Sequence, residues 1–282
     1  MDFLFIFYGK KMKITTFFIH SVNKVLQSFR FHIMGTDETI THILTTNDSI
    51  VRYGDGEMAL ILGHDIHFQR FDVSLKERLA EILGMPECKG LKVGIPMAIN
   101  STEELKKQAA DFWQENLKTG KMHWVRFCNW KKIYINSSFT WCYVDYDDKE
   151  KALQSFLKVI SLWDGKDVLI VEGEASKLGV NNGLFMNAKS VKRIICPSKN
   201  AYDKYEEILE KIKILYHDEL LLISLGPTAT VLAYDIYKMG KRAIDIGHLN
   251  NEYKEYLEDL KIKEEKILSE NEYQNQIIGK VL

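Results

Sequence analysis

Two acidic residues, Asp55 and Glu57, lie two positions apart in the stretch VRYGDGE, and each follows a glycine. The preceding residues read as a short strand, and side chains at positions i and i+2 of an extended segment project to the same side. Both carboxylates can then face one Mg²⁺ or Mn²⁺ ion, which completes its coordination with waters and substrate phosphates. Gly54 and Gly56 let a ligand approach the backbone. A plain Asp-Gly turn is the alternative that this motif alone leaves open.

The stretch SLGPTAT is a second candidate phosphate site. An apolar strand is followed by Gly226 and then by a proline at the first helical position, which leaves backbone N–H groups at the strand end. Thr228 and Thr230 add hydroxyl donors. The stretch has neither a P-loop lysine nor a GxGxxG fingerprint, so an ordinary helix start is the alternative.

Two further loops carry polar side chains. In VEGEASKLGVNNG, Lys177 can neutralise a diphosphate and the amide of Asn182 can hold sugar hydroxyls, unless the loop is simply solvated. In IDIGHLNNEY, Glu252 is the first candidate for a catalytic base and His248 the second. A structural histidine, and a glutamate favoured by a helix dipole, are the alternatives.

Short apolar stretches alternate with helical ones over most of the chain. Strands are predicted over DSIVRY, LKVGIP, DVLIVEGE, KRIICP, ELLLISLG and AIDIG, and IYINSSFTWCYV also has strand composition. Helices are predicted over SLKERLAEILG, KALQSFLKVISLW, YEEILEKIKIL and PTATVLAYDIYKMG, and from Ser101 or Thr102 to Gly120. This alternation predicts an α/β, Rossmann-like, mostly parallel sheet with helices on both faces. The polar stretches then meet at the carboxyl ends of the strands, where such sheets bind ligands.

Two of the predicted helices have an expected buried face. In SLKERLAEILG it consists of Leu75, Leu79, Ile82 and Leu83. In KALQSFLKVISLW it consists of Leu153, Phe156, Leu157 and Ile160.

Charge and cysteine usage narrow the class of protein. The formal net charge is -1 over 282 residues, so no overall field favours nucleic acid. Four cysteines lie far apart without a CxxC pair, which fits a reducing cytoplasm rather than a disulfide framework or a zinc site. They are Cys88, Cys128, Cys142 and Cys196.

The first residues form an unusual N-terminus. The apolar run Phe3 to Tyr8 is followed by lysines and is far shorter than the roughly 20 residues that a membrane span needs. A peripheral membrane contact is the most that it predicts; Met12 is an alternative start. We expect an N-terminal helical extension over residues 1–45 and one domain over residues 46–282.

Three stretches of the chain resemble the bacterial GT-D-type glycosyltransferases, a family first catalogued as a domain of unknown function. They are RYGDGE, VEGEASKLGVNNGLFMNAKSVKRIICPSKNAY and LGPTATVLAYDIYKMGKRAIDIGHLNNEY. The resemblance implies a Rossmann-like GT-D fold and transfer of a hexose, typically glucose, from a UDP-sugar. It also implies that Asp55 and Glu57 are the metal-binding D-x-E element. The chain departs from the family pattern at Gly183 and Asn250, where aspartate is frequent, and at Trp141, where arginine is common.

The combined hypothesis is a metal-dependent glycosyltransferase that uses Mn²⁺ or Mg²⁺ and a UDP-sugar. Its acceptor would be a glycan or a lipid- or protein-linked saccharide, in surface polysaccharide or glycoprotein glycan synthesis. Other glycosyltransferases are further candidate partners, and the expected location is the cytoplasm, including the inner face of the cell membrane. Arg52 either braces the two carboxylates or contacts the diphosphate, and a structural ion pair is the alternative. The alternatives are a non-catalytic transferase-like protein that binds a glycan or a partner, and a metal-dependent phosphotransfer or phosphohydrolase enzyme.

Overall fold

A sheet of nine strands lies at the centre of the computed structural model, which describes residues 28–259 and 275–281. In chain order the strands are β1 (His32–Ile33), β2 (Ser49–Arg52), β3 (Leu91–Ile95), β4 (Ile133–Asn136), β5 (Asp167–Gly173), β6 (Ser190–Cys196), β7 (Leu220–Ser224), β8 (Ala243–Asp245) and β9 (Asn275–Lys280). Their order in the sheet is β1-β4-β3-β2-β8-β7-β5-β6-β9, and every neighbouring pair is parallel. All strands therefore end at the same edge, where a ligand site is expected.

Eight α-helices in the described part of the chain cover the sheet. They are α1 (Thr36–Thr45), α2 (Asp55–Ile61), α3 (Val73–Gly84), α4 (Lys107–Phe127), α5 (Lys149–Ile160), α6 (Tyr205–Leu215), α7 (Pro227–Lys238) and α8 (Leu249–Asp259). Side chains of α3, α6 and α7 pack in one hydrophobic cluster, and side chains of α1, α5 and α8 in another. Successive strand residues alternate between the clusters: Leu221 belongs to the first and Leu222 to the second. The predicted parallel sheet with helices on both faces is confirmed.

The sheet begins within the segment assigned to an N-terminal helical extension. Strand β1 pairs with β4 at one sheet edge, and α1 packs against the domain through Ile40 and Ile43. The apolar run Phe3 to Tyr8 lies outside the described residues. Within residues 28–259 and 275–281, no helix has both the length and the apolar character that crossing a bilayer requires.

Helix α4 begins later and ends later than the sequence predicted. The residues before it are not helical, because the Lys106 backbone N–H donates to the Asp145 carbonyl oxygen over 2.8 Å. The predicted end at Gly120 was wrong because buried Leu117 and Trp124 lie on both sides of it, and their packing continues the helix.

Two other predictions differ from the structure. In α5 the buried positions are Ala152, Ser155, Phe156 and Val159, whereas Leu157 is exposed, so the predicted face was displaced by about one position. The strand in IYINSSFTWCYV stops after four residues. There the Asn136 side-chain oxygen accepts from the Ser138 backbone N–H, which turns the chain into a 3₁₀ segment, Ser137–Thr140.

Helix α3 follows its prediction closely. Its four expected core positions, Leu75, Leu79, Ile82 and Leu83, are all buried.

Candidate functional site

A cavity of about 840 Å³ opens at the carboxyl ends of β2, β3, β4, β7 and β8. Strands β2 and β8 are neighbours at the middle of this group although they are far apart in the chain. The segments at their carboxyl ends supply Asp55, Glu57, Asp245 and His248 to the cavity wall. Backbone at four glycines also lines it: Gly54, Gly56, Gly226 and Gly247.

Asp55 and Glu57 occupy the first turn of α2 and not an extended segment. Gly54 is the extended N-cap, and its N–H donates to Glu57 Oε2 over 2.7 Å. Residues two apart on a helix point in different directions, so the expected same-side geometry was wrong. Asp55 is exposed and Glu57 is half-buried, and both still line the cavity.

Burial of neighbouring acids shapes the electrostatics of this wall. Burial, and then the charge of Asp245, raise the pKa of Glu57 to about 7. Burial also raises the pKa of Asp245, although Arg52 opposes that shift. Carboxylates held so close in a partly desolvated place favour protonation or a bound cation.

The donor set fits a hard divalent cation that completes its shell with ligand oxygens. Among the residues the structure describes, no three or more histidine, cysteine, aspartate or glutamate side chains form a metal-binding group. Mg²⁺ typically takes one or two carboxylates, several waters and substrate phosphates. Asp55 and Glu57 meet that requirement in ligand type and number, although their side chains point in different directions along the cavity wall, and a site made only of protein ligands does not fit.

Arg52 ties three parts of the site together. Its Nε and Nη2 donate to Asp245 Oδ1, each over 3.3 Å. Its Nη1 donates to the Ser137 carbonyl oxygen over 2.9 Å and to Thr140 Oγ1 over 2.7 Å. A Cβ on Gly247 would lie 1.7 Å from Nη2, so glycine is needed there for the guanidinium to fit. None of these contacts is to the D-x-E carboxylates, so of the roles that the sequence left open they favour the structural ion pair.

His248 lies between two aromatic rings at the cavity wall. The ring centroids of Phe68 and Trp141 are 6.3 and 6.4 Å from it, both edge-to-face. Desolvation, and then the charge of Arg52, lower the pKa of His248. The imidazole is therefore neutral near pH 7 and able to accept a proton.

The start of α7 contributes backbone rather than hydroxyl groups. Gly226 has φ of +53°, and a Cβ there would lie 2.5 Å from Phe68 Cε2. Thr228 and Thr230 are fully buried and do not line the cavity. Thr230 Oγ1 donates to the Arg52 carbonyl oxygen over 2.9 Å, and Thr228 Oγ1 has no hydrogen-bond partner among the described residues.

Lys177 and Asn182 lie away from the cavity. They follow β5, which is separated from β8 by β7. Lys177 is exposed, and Asn182 is buried, with Nδ2 donating to Asn250 Oδ1 over 2.8 Å. The order of strands, which sequence patterns do not give, keeps this loop out of the cavity lining, although it contacts the stretch IDIGHLNNEY through Asn250.

Glu252 is also outside the cavity lining, since its side chain is fully buried in α8. Its Oε2 accepts from the backbone N–H groups of Tyr143 and Val144 over 2.8 and 2.9 Å. Its Oε1 is buried, with no partner among the described residues. Burial raises the pKa of this carboxyl to about 7. These contacts suit a group that positions the segment carrying Trp141.

Sequence reasoning missed one wall of the cavity. Lys106, Phe112, Trp113 and Asp145 line it from the start of α4 and from the loop before α5. These residues follow no strand directly, so the rule that places ligands at strand ends does not predict them. The aromatic pair in ADFWQ, next to a predicted helix start, was the signal available.

The chain matches the family model described as "Glycosyltransferase GT-D fold" over residues 50–277. It is 38% identical over 221 residues to "Probable glycosyl transferase Gly" of Streptococcus gordonii. It is 36% identical over 221 residues to "Glycosyltransferase GlyD" of Streptococcus pneumoniae serotype 4. Each match covers 78% of this chain, which spans only 32% and 27% of the length of these two relatives.

Solved structures agree with the sequence relatives. The structure described as "The highly conserved domain of unknown function 1792 has a distinct glycosyltransferase fold" superposes with a TM-score of 0.82 at 32% identity, covering 93% of this chain and 99% of that one. "A New Glycosyltransferase (DUF1792) from Streptococcus sanguinis" gives 0.80 at 33% identity, covering 90% and 100%. The resemblance seen in the sequence is confirmed, and the chain belongs to the glycosyltransferase family with the GT-D fold.

Proposed function

We propose that this chain transfers a hexose, with glucose as the first candidate, from a UDP-sugar to a glycan in surface polysaccharide or glycoprotein glycan synthesis. The observation that carries the proposal is the cavity at the ends of β2, β7 and β8. It combines the carboxylates of Asp55 and Glu57 with glycine backbone that a diphosphate can approach. Parallel α/β sheets bind nucleotides at this edge.

Asp55 and Glu57 would hold Mn²⁺ or Mg²⁺ against the donor diphosphate. The cation, when bound, offsets the negative charge that develops on the departing UDP. Helix α7 starts at Gly226 on the same wall, and the positive end of its dipole favours phosphate. Arg52 holds Asp245 and the 3₁₀ segment in place.

His248 is our candidate for the base that removes the proton from the acceptor hydroxyl. It lines the cavity, and its lowered pKa keeps the imidazole neutral at pH 7. Glu252 would act as a positioning residue, because its carboxylate holds the backbone of Tyr143 and Val144.

A lipid- or protein-linked saccharide is the acceptor class we propose, with the reaction in the cytoplasm at the inner face of the membrane. The four cysteines are free in the structure, which supports a reducing compartment. Other glycosyltransferases are candidate partners, because glycans are assembled by successive transfers.

Thermal-shift binding of UDP with and without Mn²⁺ tests the donor site. The variants are Asp55→Asn and Glu57→Gln, the second of which keeps a side-chain oxygen for the Gly54 N–H. Glu258→Gln, at an exposed position of α8, is the control. We expect a Mn²⁺-dependent stabilisation by UDP in the wild type and the control but not in the two variants.

Two other outcomes would change the interpretation. A wild-type protein without any metal-dependent shift would favour the non-catalytic, partner-binding alternative. A shift that persists in both variants would move the metal away from the D-x-E pair. UDP release from UDP-glucose and other UDP-hexoses, measured on the same proteins, then separates binding from turnover.

A further inference from the structure

The cavity has a second half that the donor does not need. Beyond the ends of β3 and β4, its wall consists of the start of α4, the loop before α5 and Glu255 of α8. This half contains no glycine backbone; it presents aromatic rings and long polar side chains. Its chemistry therefore differs from that of the diphosphate half.

Backbone pairing builds this second wall. Leu105 and Tyr146 form an antiparallel bridge, and the Lys106 N–H donates to the Asp145 carbonyl oxygen over 2.8 Å. Asp145 follows Tyr143 and Val144, whose backbone N–H groups donate to the Glu252 carboxylate. Hydrogen bonds therefore hold this wall at two places, so it is an ordered surface.

Helical spacing then aims an aromatic pair into the cavity. Gln108 and Phe112 are four residues apart on α4, and so are Ala109 and Trp113, so all four share one side of the helix and all line the cavity. The Phe112 and Trp113 rings are 5.6 Å apart at 82°. Phe112 is 47% exposed, a large apolar surface that a ligand in the cavity would cover.

We propose that this half is the acceptor subsite and that it binds a neutral pyranose ring against Phe112 and Trp113. This inference rests on the proposed function. A pyranose has an apolar face of C–H groups, which packs on an aromatic ring, and a rim of hydroxyls, which need donors and acceptors. Lys106, Gln108 and Asp145 surround the aromatic pair and supply both.

The charge of the subsite selects against anionic sugars. One lysine, Lys106, and two acids, Asp145 and Glu255, are the charged side chains of this half in the described chain. Their sum is negative when the acids are ionised, so a carboxylate or phosphate on the sugar is repelled. The acceptor is therefore a neutral hexose or N-acetylhexosamine at its receiving end.

Saturation-transfer difference NMR tests the subsite with methyl β-D-glucopyranoside, methyl N-acetyl-β-D-glucosaminide and methyl β-D-glucuronide, in the presence of UDP and Mn²⁺. The variant is Phe112→Ala, which removes an exposed ring and so preserves the fold. Met122→Ala is the matched control, because Met122 is exposed on the same helix but outside the cavity lining. In Phe112→Ala we expect saccharide affinity to fall about fivefold to tenfold. Met122→Ala should bind as the wild type does, and glucuronide should bind more weakly than the neutral sugars.

The results separate this inference from the donor proposal. Saccharide affinity that is equal in Phe112→Ala and wild type would overturn the subsite, as would a wild type that binds UDP but none of the saccharides. Glucuronide binding as tight as glucoside binding would overturn the preference for neutral sugars. If UDP fails to bind while the neutral sugars bind through Phe112, the donor proposal fails and the saccharide subsite stands.

Discussion

Glu252→Gln separates a buried positioning carboxylate from a catalytic base. The glutamine side chain has the same shape, and its oxygen can accept the N–H groups of Tyr143 and Val144 that Glu252 Oε2 accepts now. The substitution removes the negative charge that Glu252 carries in the fully buried site at high pH. Its effect on stability should therefore depend on pH.

The pKa of Glu252 gives the sign and size of this dependence. Burial raises the folded-state pKa from an ordinary 4.5 to about 7, so between these values the folded state keeps a proton that the unfolded state has lost. Stability contributed by this group is present below pH 4.5 and is lost as the pH rises to 7. At about 1.4 kcal/mol for each pH unit, the loss is about 3 kcal/mol.

Urea denaturation of wild type and Glu252→Gln between pH 5 and pH 8 measures the difference. We expect the variant to be more stable by about 3 kcal/mol at pH 8 and by less than about 1 kcal/mol at pH 5. The difference between the variant and the wild type cancels the pH-dependent contribution of Glu57, which titrates in the same range. Glu258→Gln, on the exposed side of the same helix, should follow the wild type at every pH.

Two results would refute the reasoning. Parallel stability curves for Glu252→Gln and wild type would show that burial does not shift this carboxyl. A loss of transfer rate of about 10²-fold to 10⁴-fold in a folded variant would identify Glu252 as the base.

Three further substitutions have expected outcomes of their own. Arg52→Met leaves Asp245 buried without its cation, so the free energy of unfolding should fall by about 3 kcal/mol at high pH and by less at low pH, because burial raises the pKa of Asp245 and protonation removes its charge. Equal losses at high and low pH in urea denaturation would contradict this. Gly226→Ala places a Cβ against the Phe68 ring at φ of +53°, so it should lower the free energy of unfolding by about 1–3 kcal/mol and weaken UDP binding. Gly120→Ala, which has open space around it, should be neutral or slightly stabilising. Melting temperatures and UDP titrations of both alanine variants check this. Thr228→Val removes a buried hydroxyl without a partner among the described residues and should stabilise the protein by about 1 kcal/mol with UDP affinity unchanged, so weaker UDP binding would return Thr228 to the donor site.

Local patterns predicted most of the fold. The buried stripe of α3 and the apolar runs of β5 and β7 follow from helical and strand periodicity in the sequence. Predictions failed where a hydrogen bond between a side chain and nearby backbone, which apolar periodicity does not show, decides the conformation. The N-cap at Gly54 converts an expected strand end into a helical turn, and the Asn136 side chain ends a strand whose composition would continue it.

The sequence predicted the cavity-lining residues correctly only where the end of one strand was enough to place them. Asp55, Glu57 and His248 follow β2 and β8, and they line one cavity because these strands are neighbours. Lys177 follows β5, which lies two strands away from β8, so an equally polar loop is outside the cavity. Glu252 has the right chemistry for a base, but only the packing of α8 shows that its carboxylate is used by backbone groups.

The bridge between Leu105 and Tyr146 makes one segment of this protein suited to replacement by other sequences. The two segments are joined through main-chain groups, and the side chains of Leu105 and Tyr146 anchor the pair in the core. Helix α4 supplies Phe112 and Trp113 without contributing a strand to the sheet. Residues 106–114 can therefore be randomised in a library while the sheet edge that carries Asp55 stays constant, and under the proposed acceptor subsite, selection on different sugars would yield altered acceptor preferences.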